Sequence, residues 1–274
     1  MDPLDAIAGS VPAAAKLLVA MAALAALETI VPLRRRATRS RGHAATNLRL
    51  TLVTFALNAA VTAAIALALA HLDERGLGLL NAVDLPPVAA GALALVVLDL
   101  AFYVSHVAMH RIPGWWRFHR VHHADPSVDV TTSFRQHPVE GLIRYAFVGA
   151  FALVLAPSVA AFGVYRAASA LNALLEHANL RMPPRLDRAL SLVTTWPYAH
   201  KVHHSRDPSL TDTNYGNLLS LWDRIFGTFT PSAEGTRVVY GLDGFEGTPS
   251  ALELLASPWT PLPRVRDAGT ECVQ

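Results

Sequence analysis

Residues 87–110 read PVAAGALALVVLDLAFYVSHVAMH, an apolar stretch that ends in a pair of histidines. Its apolar part, residues 87–105, carries a single charge, that of Asp99. This length suits a helix that crosses the hydrocarbon core of a membrane, which needs roughly 20 residues. His106 and His110 are four residues apart and therefore share one face of such a helix. The stretch predicts a membrane-spanning helix that presents two histidines at its end.

Three more regions of the chain are long and predominantly apolar. Residues 14–33 contain two charged residues and residues 52–70 contain none. Residues 142–175 are divided by Pro157 into halves that are short for full spans, so we expect a helical hairpin or a re-entrant pair there. The whole chain is 52% hydrophobic and 16% charged, whereas soluble domains are about a quarter charged. We therefore predict an all-α integral membrane bundle of about three spans plus a helical hairpin, with a histidine-rich helical cap.

The loops between the apolar regions predict an orientation. Residues 34–49 read RRRATRSRGHAATNLR and contain no acid, whereas residues 71–86 carry three acids and one arginine. Short basic loops stay in the cytoplasm, so we expect the first loop and the histidine-rich cap to face the cytoplasm. The N-terminus is acidic and has no basic leader, which predicts that no signal peptide is cleaved.

Two five-residue segments are near-copies of each other and rich in histidine. Residues 119–123 read HRVHH and residues 200–204 read HKVHH. On a helix the first histidine of each copy faces both members of the following pair, because positions i, i+3 and i+4 share a face. Neutral imidazoles that converge from several faces make a metal site. An isolated histidine is more often a hydrogen-bonded core or surface residue, and we interpret His43 and His71 in that way.

Ten of the twelve histidines lie between positions 106 and 204, which is enough for two metal ions. The chain has one cysteine, Cys272, so a cysteine-ligated zinc site or a four-cysteine iron–sulfur cluster is excluded. Neither H-E-x-x-H nor a repeated E-x-x-H occurs, and the set exceeds what a single zinc ion needs. A dinuclear, histidine-rich iron site is therefore the economical interpretation. The candidate metal ligands are His106, His110, His119, His122, His123, His137, His177, His200, His203 and His204.

The order of these motifs resembles that of a known family. The segments SHVAMH, HRVHH, FRQHPVE, LLEHANL and HKVHH, followed by TNYGNLLSLWDRIFGTF, resemble the fatty acid hydroxylase superfamily, which includes sterol desaturases, fatty acid hydroxylases and alkylglycerol monooxygenase. The resemblance covers roughly residues 90–230. It implies that the eight histidines of the first, second and fifth motifs are metal ligands, and that His137 and His177 are ligands too. We accordingly divide the chain into N-terminal transmembrane helices with the basic loop (1–86), a catalytic domain (87–235) and a C-terminal tail (236–274).

The resemblance also implies an activity and its partners. We expect a membrane-bound, non-haem di-iron oxygenase that holds two iron ions, uses O2 as co-substrate, and hydroxylates or desaturates a C–H bond of a lipid. Electrons are expected from a separate donor, a ferredoxin, a rubredoxin or a cytochrome b5-like carrier with its reductase, and no nucleic acid is involved. Two other classes remain open: a histidine-rich membrane protein that binds or transports metal ions, and a zinc-dependent lipid hydrolase. The clustering of histidines after nearly pure apolar spans favours a site over an ion pathway.

Asp99 is a candidate for orienting a metal-ligating histidine by accepting a hydrogen bond from its second ring nitrogen. It lies seven residues before His106, on the same face of the predicted helix, and metal-bound histidines usually donate their second N–H to a carboxylate or a carbonyl. The alternative is a polar residue that only packs between helices. Weaker candidates for the same role are Asp125, Glu140, Glu176, Asp207, Asp212 and Asp223, the last of which could instead pair with an arginine such as Arg224.

Overall fold

The computed structural model of the chain describes residues 3–35, 41–245, 247 and 249–260. Within these ranges it contains helices and two isolated bridges but no β-strand. The helices are α1 (Pro3–Ile30), α2 (Arg41–Glu74), α3 (Pro87–Arg111), α4 (Pro113–His123), α5 (Pro138–Leu155), α6 (Val159–His177), α7 (Pro184–Leu190), α8 (Pro197–His203), α9 (Pro208–Thr211), α10 (Leu221–Ile225) and α11 (Ala251–Ala256). Short 3-10 turns cover Leu80–Ala82, Val130–Phe134, Ser232–Thr236 and Ser257–Trp259.

Four helices in the described part of the chain are long and apolar enough to cross a membrane. The segments are Pro12–Ile30, Gly42–Glu74, Pro87–Arg111 and Pro138–Leu155. The predicted all-α membrane bundle is thereby confirmed, with α5 as a fourth candidate span. Residues 36–40 of the basic loop and Cys272 lie outside the described residues.

The fourth apolar region folds as the predicted hairpin, although its arms are longer than the sequence suggested. Helix α5 has 18 residues and α6 has 19, because both helices continue through the polar residues next to the histidine motifs. The turn is made by Ala156, which has a left-handed φ of 50°, by Pro157, and by Ser158, whose hydroxyl accepts a hydrogen bond from the Ala161 N–H at 3.1 Å. His137 precedes α5 and His177 ends α6, so the hairpin returns the chain to the side from which it started.

Two glycines set the close packing of α5 against α2. A Cβ atom on Gly141 would lie 3.2 Å from Oδ1 of Asn58, and one on Gly149 would lie 3.1 Å from Cδ1 of Ile65. Small residues let membrane helices approach closely. Because Gly141 has no side chain, the amide of Asn58 can sit against α5 in the middle of the bundle.

The histidine-bearing helices α4 and α8 form the cap together with the segments that follow them. Part of the region that the sequence assigns to a tail packs on this cap, where Leu254 of α11 contacts Val121 and Leu50 in one buried cluster. Arg120 of α4 donates hydrogen bonds to the carbonyls of Ser257 and Thr260. Residues 249–260 are therefore a folded cover over α4.

Candidate metal centre

Nine of the ten predicted ligands come together at the end of the bundle, in two groups. In each group the candidate ligand atoms all lie within 4.8 Å of one another. The first group is His106, His110, His119, His123 and His203, and the second is His122, His177, His200 and His204. All but His110 are buried in the chain itself, and the His110 side chain is also almost fully covered.

The two H-x-x-H-H copies exchange histidines between the groups. His119 and His123 join the first group while His122 joins the second; His200 and His204 join the second while His203 joins the first. In each copy the i and i+4 imidazoles therefore serve one group, and the i+3 imidazole serves the other. The copies lie on two different helices, α4 and α8, so each group is held by both. The sequence predicted convergence of the copies, and the structure adds this reciprocal division.

The imidazole nitrogens are arranged as ligands rather than as mutual hydrogen-bond partners. His177 Nε2 lies 3.1 Å from His122 Nε2, and His200 Nε2 lies 3.1 Å from His204 Nε2. The Nδ1 atoms of His122 and His177 face the carbonyls of Arg135 and Ala173 at 3.3 and 2.7 Å. A neutral imidazole has one N–H, so two rings that donate from Nδ1 turn lone pairs toward each other at Nε2. A cation between them removes this repulsion.

The spacing of these atoms suits a first-row metal. With metal–nitrogen bonds of about 2.1 Å, the nitrogens at adjacent corners of an octahedron are about 3.0 Å apart and those of a tetrahedron about 3.4 Å apart. In the first group, His119 Nε2 lies 3.1 Å from His106 Nε2 and 3.2 Å from His123 Nε2. The Nε2 atoms of His110 and His203 are buried and have no hydrogen-bond partner in the described structure. The residues present thus fit two imidazole-bound metal ions.

Burial keeps the rings of the cap in the form that binds metal. Loss of solvent lowers the pKa of His122 to about 3, and it lowers the pKa values of His119, His123, His200 and His204 well below the ordinary value of 6.5. The neighbouring imidazoles act in the same direction. These histidines are neutral at physiological pH, as ligand histidines must be.

Second hydrogen bonds fix several rings of the first group. His106 Nδ1 donates to the Tyr215 carbonyl at 2.7 Å, and His203 Nδ1 donates to the Thr213 carbonyl at 2.8 Å. Asp212 serves the same purpose at 3.2 Å from His110 Nδ1, whereas Glu140 lies 3.1 Å from His119 Nδ1 without forming a hydrogen bond to it. Such partners fix the tautomer and the orientation of a ligand ring. Backbone carbonyls have no signature in a sequence, so the sequence could not predict that those of Thr213 and Tyr215 bind the histidines.

Asp99 acts on this arrangement through a loop rather than on a ring. Its carboxylate accepts hydrogen bonds from the N–H groups of Leu218 and Leu219 at 3.0 and 3.1 Å, and from the Trp222 indole at 3.0 Å. Asp223 accepts from the N–H groups of Tyr215 and Gly216, both at 2.8 Å. These acids therefore hold residues 213–219, the loop whose carbonyls orient His106 and His203. Asp223 bonds the backbone in place of the arginine pairing that the sequence left open.

The remaining weaker candidates divide between the site and its surroundings. Glu176 lies 3.8 Å from His200 Nε2, at the edge of the second group. Asp125 instead bonds the buried His43 at 2.7 Å, and Asp207 caps α9 by accepting from the Ser209 N–H. His43 is thus the hydrogen-bonded core residue that its isolation predicted.

His137 is not brought into either group. Its Nδ1 accepts a hydrogen bond from the Val139 N–H at 3.1 Å, which caps the start of α5. The ring lies among aromatic side chains, 5.0 Å from that of Phe118 and 5.6 Å from that of Trp259. The Pro138 that follows fixes His137 in an extended conformation, which turns its side chain back onto the helix terminus. In this structure it is a helix-capping residue.

A helical membrane bundle with two adjoining groups of buried histidines has the ligand set that a histidine-rich membrane metalloprotein requires. The fatty acid hydroxylase family model matches residues 91–228, about half of the chain and the whole stretch from α3 to the loop after α10. This protein belongs to the fatty acid hydroxylase family.

Curated relatives of the chain modify lipids. It is 34% identical to alkylglycerol monooxygenase of Danio rerio over 158 residues, which is 57% of this chain and 33% of the relative. With the human alkylglycerol monooxygenase it shares 31% over 173 residues, 61% of this chain and 37% of the relative. An ornithine lipid hydroxylase of Rhizobium tropici is 30% identical over 152 residues, 56% of this chain and 45% of that protein. The chain thus spans less than half the length of these relatives. No solved structure matches it.

Proposed function

We propose that this protein is a membrane-bound di-iron oxygenase that uses O2 and external electrons to hydroxylate or desaturate a C–H bond of a lipid. The observation that carries the proposal is the pair of buried groups of neutral histidines whose lone pairs converge. Family membership and the lipid-oxidising relatives point in the same direction.

Two bound iron ions would supply the redox chemistry that inserts an oxygen atom into an unactivated C–H bond, which side-chain acids, bases and nucleophiles do not perform. The nine histidines would hold the ions, and the Thr213 and Tyr215 carbonyls with Asp212 keep three of the rings in register. The buried setting excludes bulk water from the reacting centre. In hydroxylation one oxygen atom enters the C–H bond and the other leaves as water, with electrons from a separate carrier of ferredoxin, rubredoxin or cytochrome b5-like type.

The cap is proposed to face the cytoplasm, where such a carrier would reach it. The support is the charge pattern, since the described basic residues Arg34 and Arg35 follow α1, while Asp73, Glu74 and Asp84 lie at the opposite ends of α2 and α3. Cysteine accessibility scanning with a membrane-impermeant reagent tests this orientation, because labels near Arg35 and near Asp84 must appear on opposite sides.

The decisive experiment is metal analysis of detergent-purified protein from iron-supplied cells, followed by spectroscopy of the reduced protein before and after O2. We expect roughly two iron ions per chain, one for each histidine group, and a spectral change on adding O2. Tight zinc without iron, and no response to O2 after reconstitution with iron, would refute the oxygenase and favour a hydrolase.

A further inference from the structure

Two neighbouring cavities lie between the candidate membrane spans and the histidines. The inner cavity, of about 50 Å³, is lined by His106, His119, His122, His177 and His200 on one side. The outer groove, of about 410 Å³, lies between α1, α2 and the α5–α6 hairpin. The two cavities share a neck, whose residues line both: Asn58, Phe134, Tyr145, Arg166 and Ala170.

The cavities differ in polarity. The outer groove is walled by small and apolar side chains such as Leu17, Phe55, Ala63 and Phe162. The inner cavity adds to its histidines the polar side chains of Ser133, Gln136, Arg144, Ser169 and Glu176. A lipid fits this gradient in one direction, with its chain in the outer groove and its polar end at the neck.

The neck contains a cation without an acidic partner. Arg166 lies over the ring of Tyr145 at 4.7 Å, and its Nε is buried without a hydrogen-bond partner. Among the described residues no carboxylate forms an ion pair with it, whereas Arg144, one layer deeper, pairs with Glu140 at 2.6 Å. Oδ1 of Asn58 is likewise buried and unpartnered. Arginines that face the interior of a membrane-protein bundle are costly and often mark binding sites for charged groups.

We propose that the substrate is a lipid with an anionic headgroup, a carboxylate or a phosphate, which Arg166 binds at the neck while the chain occupies the outer groove. The guanidinium suits both anions because its N–H groups form a planar fork. The Asn58 amide lines the same neck, and its N–H groups would donate to the headgroup. The polar end of the lipid then faces the histidines, so the oxidised C–H bond lies there rather than along the chain. This inference rests on the proposed function for the reaction but not for the binding.

Binding of hexadecyl phosphate and of hexadecanol to the full-length protein in neutral detergent tests the charge. The affinity of each compound is measured by its displacement of a fluorescent fatty acid. We expect the phosphate to bind at least about tenfold more tightly, which corresponds to about 1.4 kcal/mol. In Arg166→Gln this preference should fall to within about twofold, and Arg166→Lys should restore part of it. Arg188→Gln, on the exposed face of α7, is the matched control.

The orientation has its own test in the groove. Ala59→Phe fills part of the outer groove and should weaken the binding of hexadecyl phosphate several-fold while leaving the binding of butyl phosphate unchanged. Arg166→Gln should weaken the binding of both. Equal affinity of the wild type for phosphate and alcohol, or a full preference in a well-folded Arg166→Gln, overturns the inference. Loss of butyl phosphate binding in Ala59→Phe would overturn the proposed orientation of the lipid. None of these measurements needs iron or O2, so a failure of the oxygenase proposal is recognised separately.

Discussion

Replacing Asp99 by asparagine removes a charge from the point where α3 meets the loop 213–219, with almost no change of shape. The carboxylate accepts three hydrogen bonds, two of them at Oδ2, and an asparagine retains one acceptor oxygen. If that oxygen keeps the Leu219 and Trp222 donors, the bond from the Leu218 N–H is lost. Hydrogen bonds to charged groups contribute about 1.5–3 kcal/mol each. We expect Asp99→Asn to lower the free energy of unfolding by about 2–3 kcal/mol.

The functional effect should exceed the loss of metal. The loop carries the carbonyls that orient His106 and His203, and disturbing such outer partners typically costs 10–100-fold in affinity or activity. We expect activity to fall about tenfold or more, while iron content falls by a smaller factor. The assay combines thermal unfolding, metal analysis and turnover, with Asp84→Asn in the exposed α2–α3 loop as the control. An Asp99→Asn protein with the control's melting temperature and rate would refute the role given to the loop.

Four further substitutions probe the two histidine groups and the hairpin. His122→Ala and His203→Ala remove one ligand from each group, so metal analysis should show less iron and turnover should cease; full iron in both variants would contradict their role. Glu140→Gln removes the carboxylate charge that lies 3.1 Å from His119 Nδ1 and should slow turnover about tenfold with most iron retained. A wild-type rate would argue against a role for this charge. Ala156→Gly relieves a left-handed φ and should raise stability by about 1 kcal/mol, a gain that a lower melting temperature would disprove.

The membrane helices and the convergence of the histidines were predictable because both rest on periodic patterns. Residues 87–110 indicate a span by apolar length alone, and the H-x-x-H-H spacing places three rings on one side of a helix. The hairpin was predictable from Pro157. Its arm lengths were not, since the polar ends of α5 and α6 continue as helix under the cover of the cap.

The division of ligands between two groups depends on the relative placement of α4 and α8, which no local pattern encodes. His137 illustrates the limit on a single residue, because a motif position cannot distinguish a ring that reaches the centre from one that caps a helix. Asp99 illustrates a second limit. Its seven-residue offset from His106 placed it correctly on the inner face of α3, but its partners come from residues 218–222, more than a hundred positions away.

The exchange of histidines between α4 and α8 also fixes when the centre can be built. Neither group is complete before the second copy, residues 200–204, has been synthesised, and the loop that orients His106 and His203 follows it in the chain. A ribosome must therefore deliver nearly the whole catalytic region before both cages can close. Under the proposed function, iron would be bound by both groups only after residues 200–204 lie beside α4, late in the maturation of the protein.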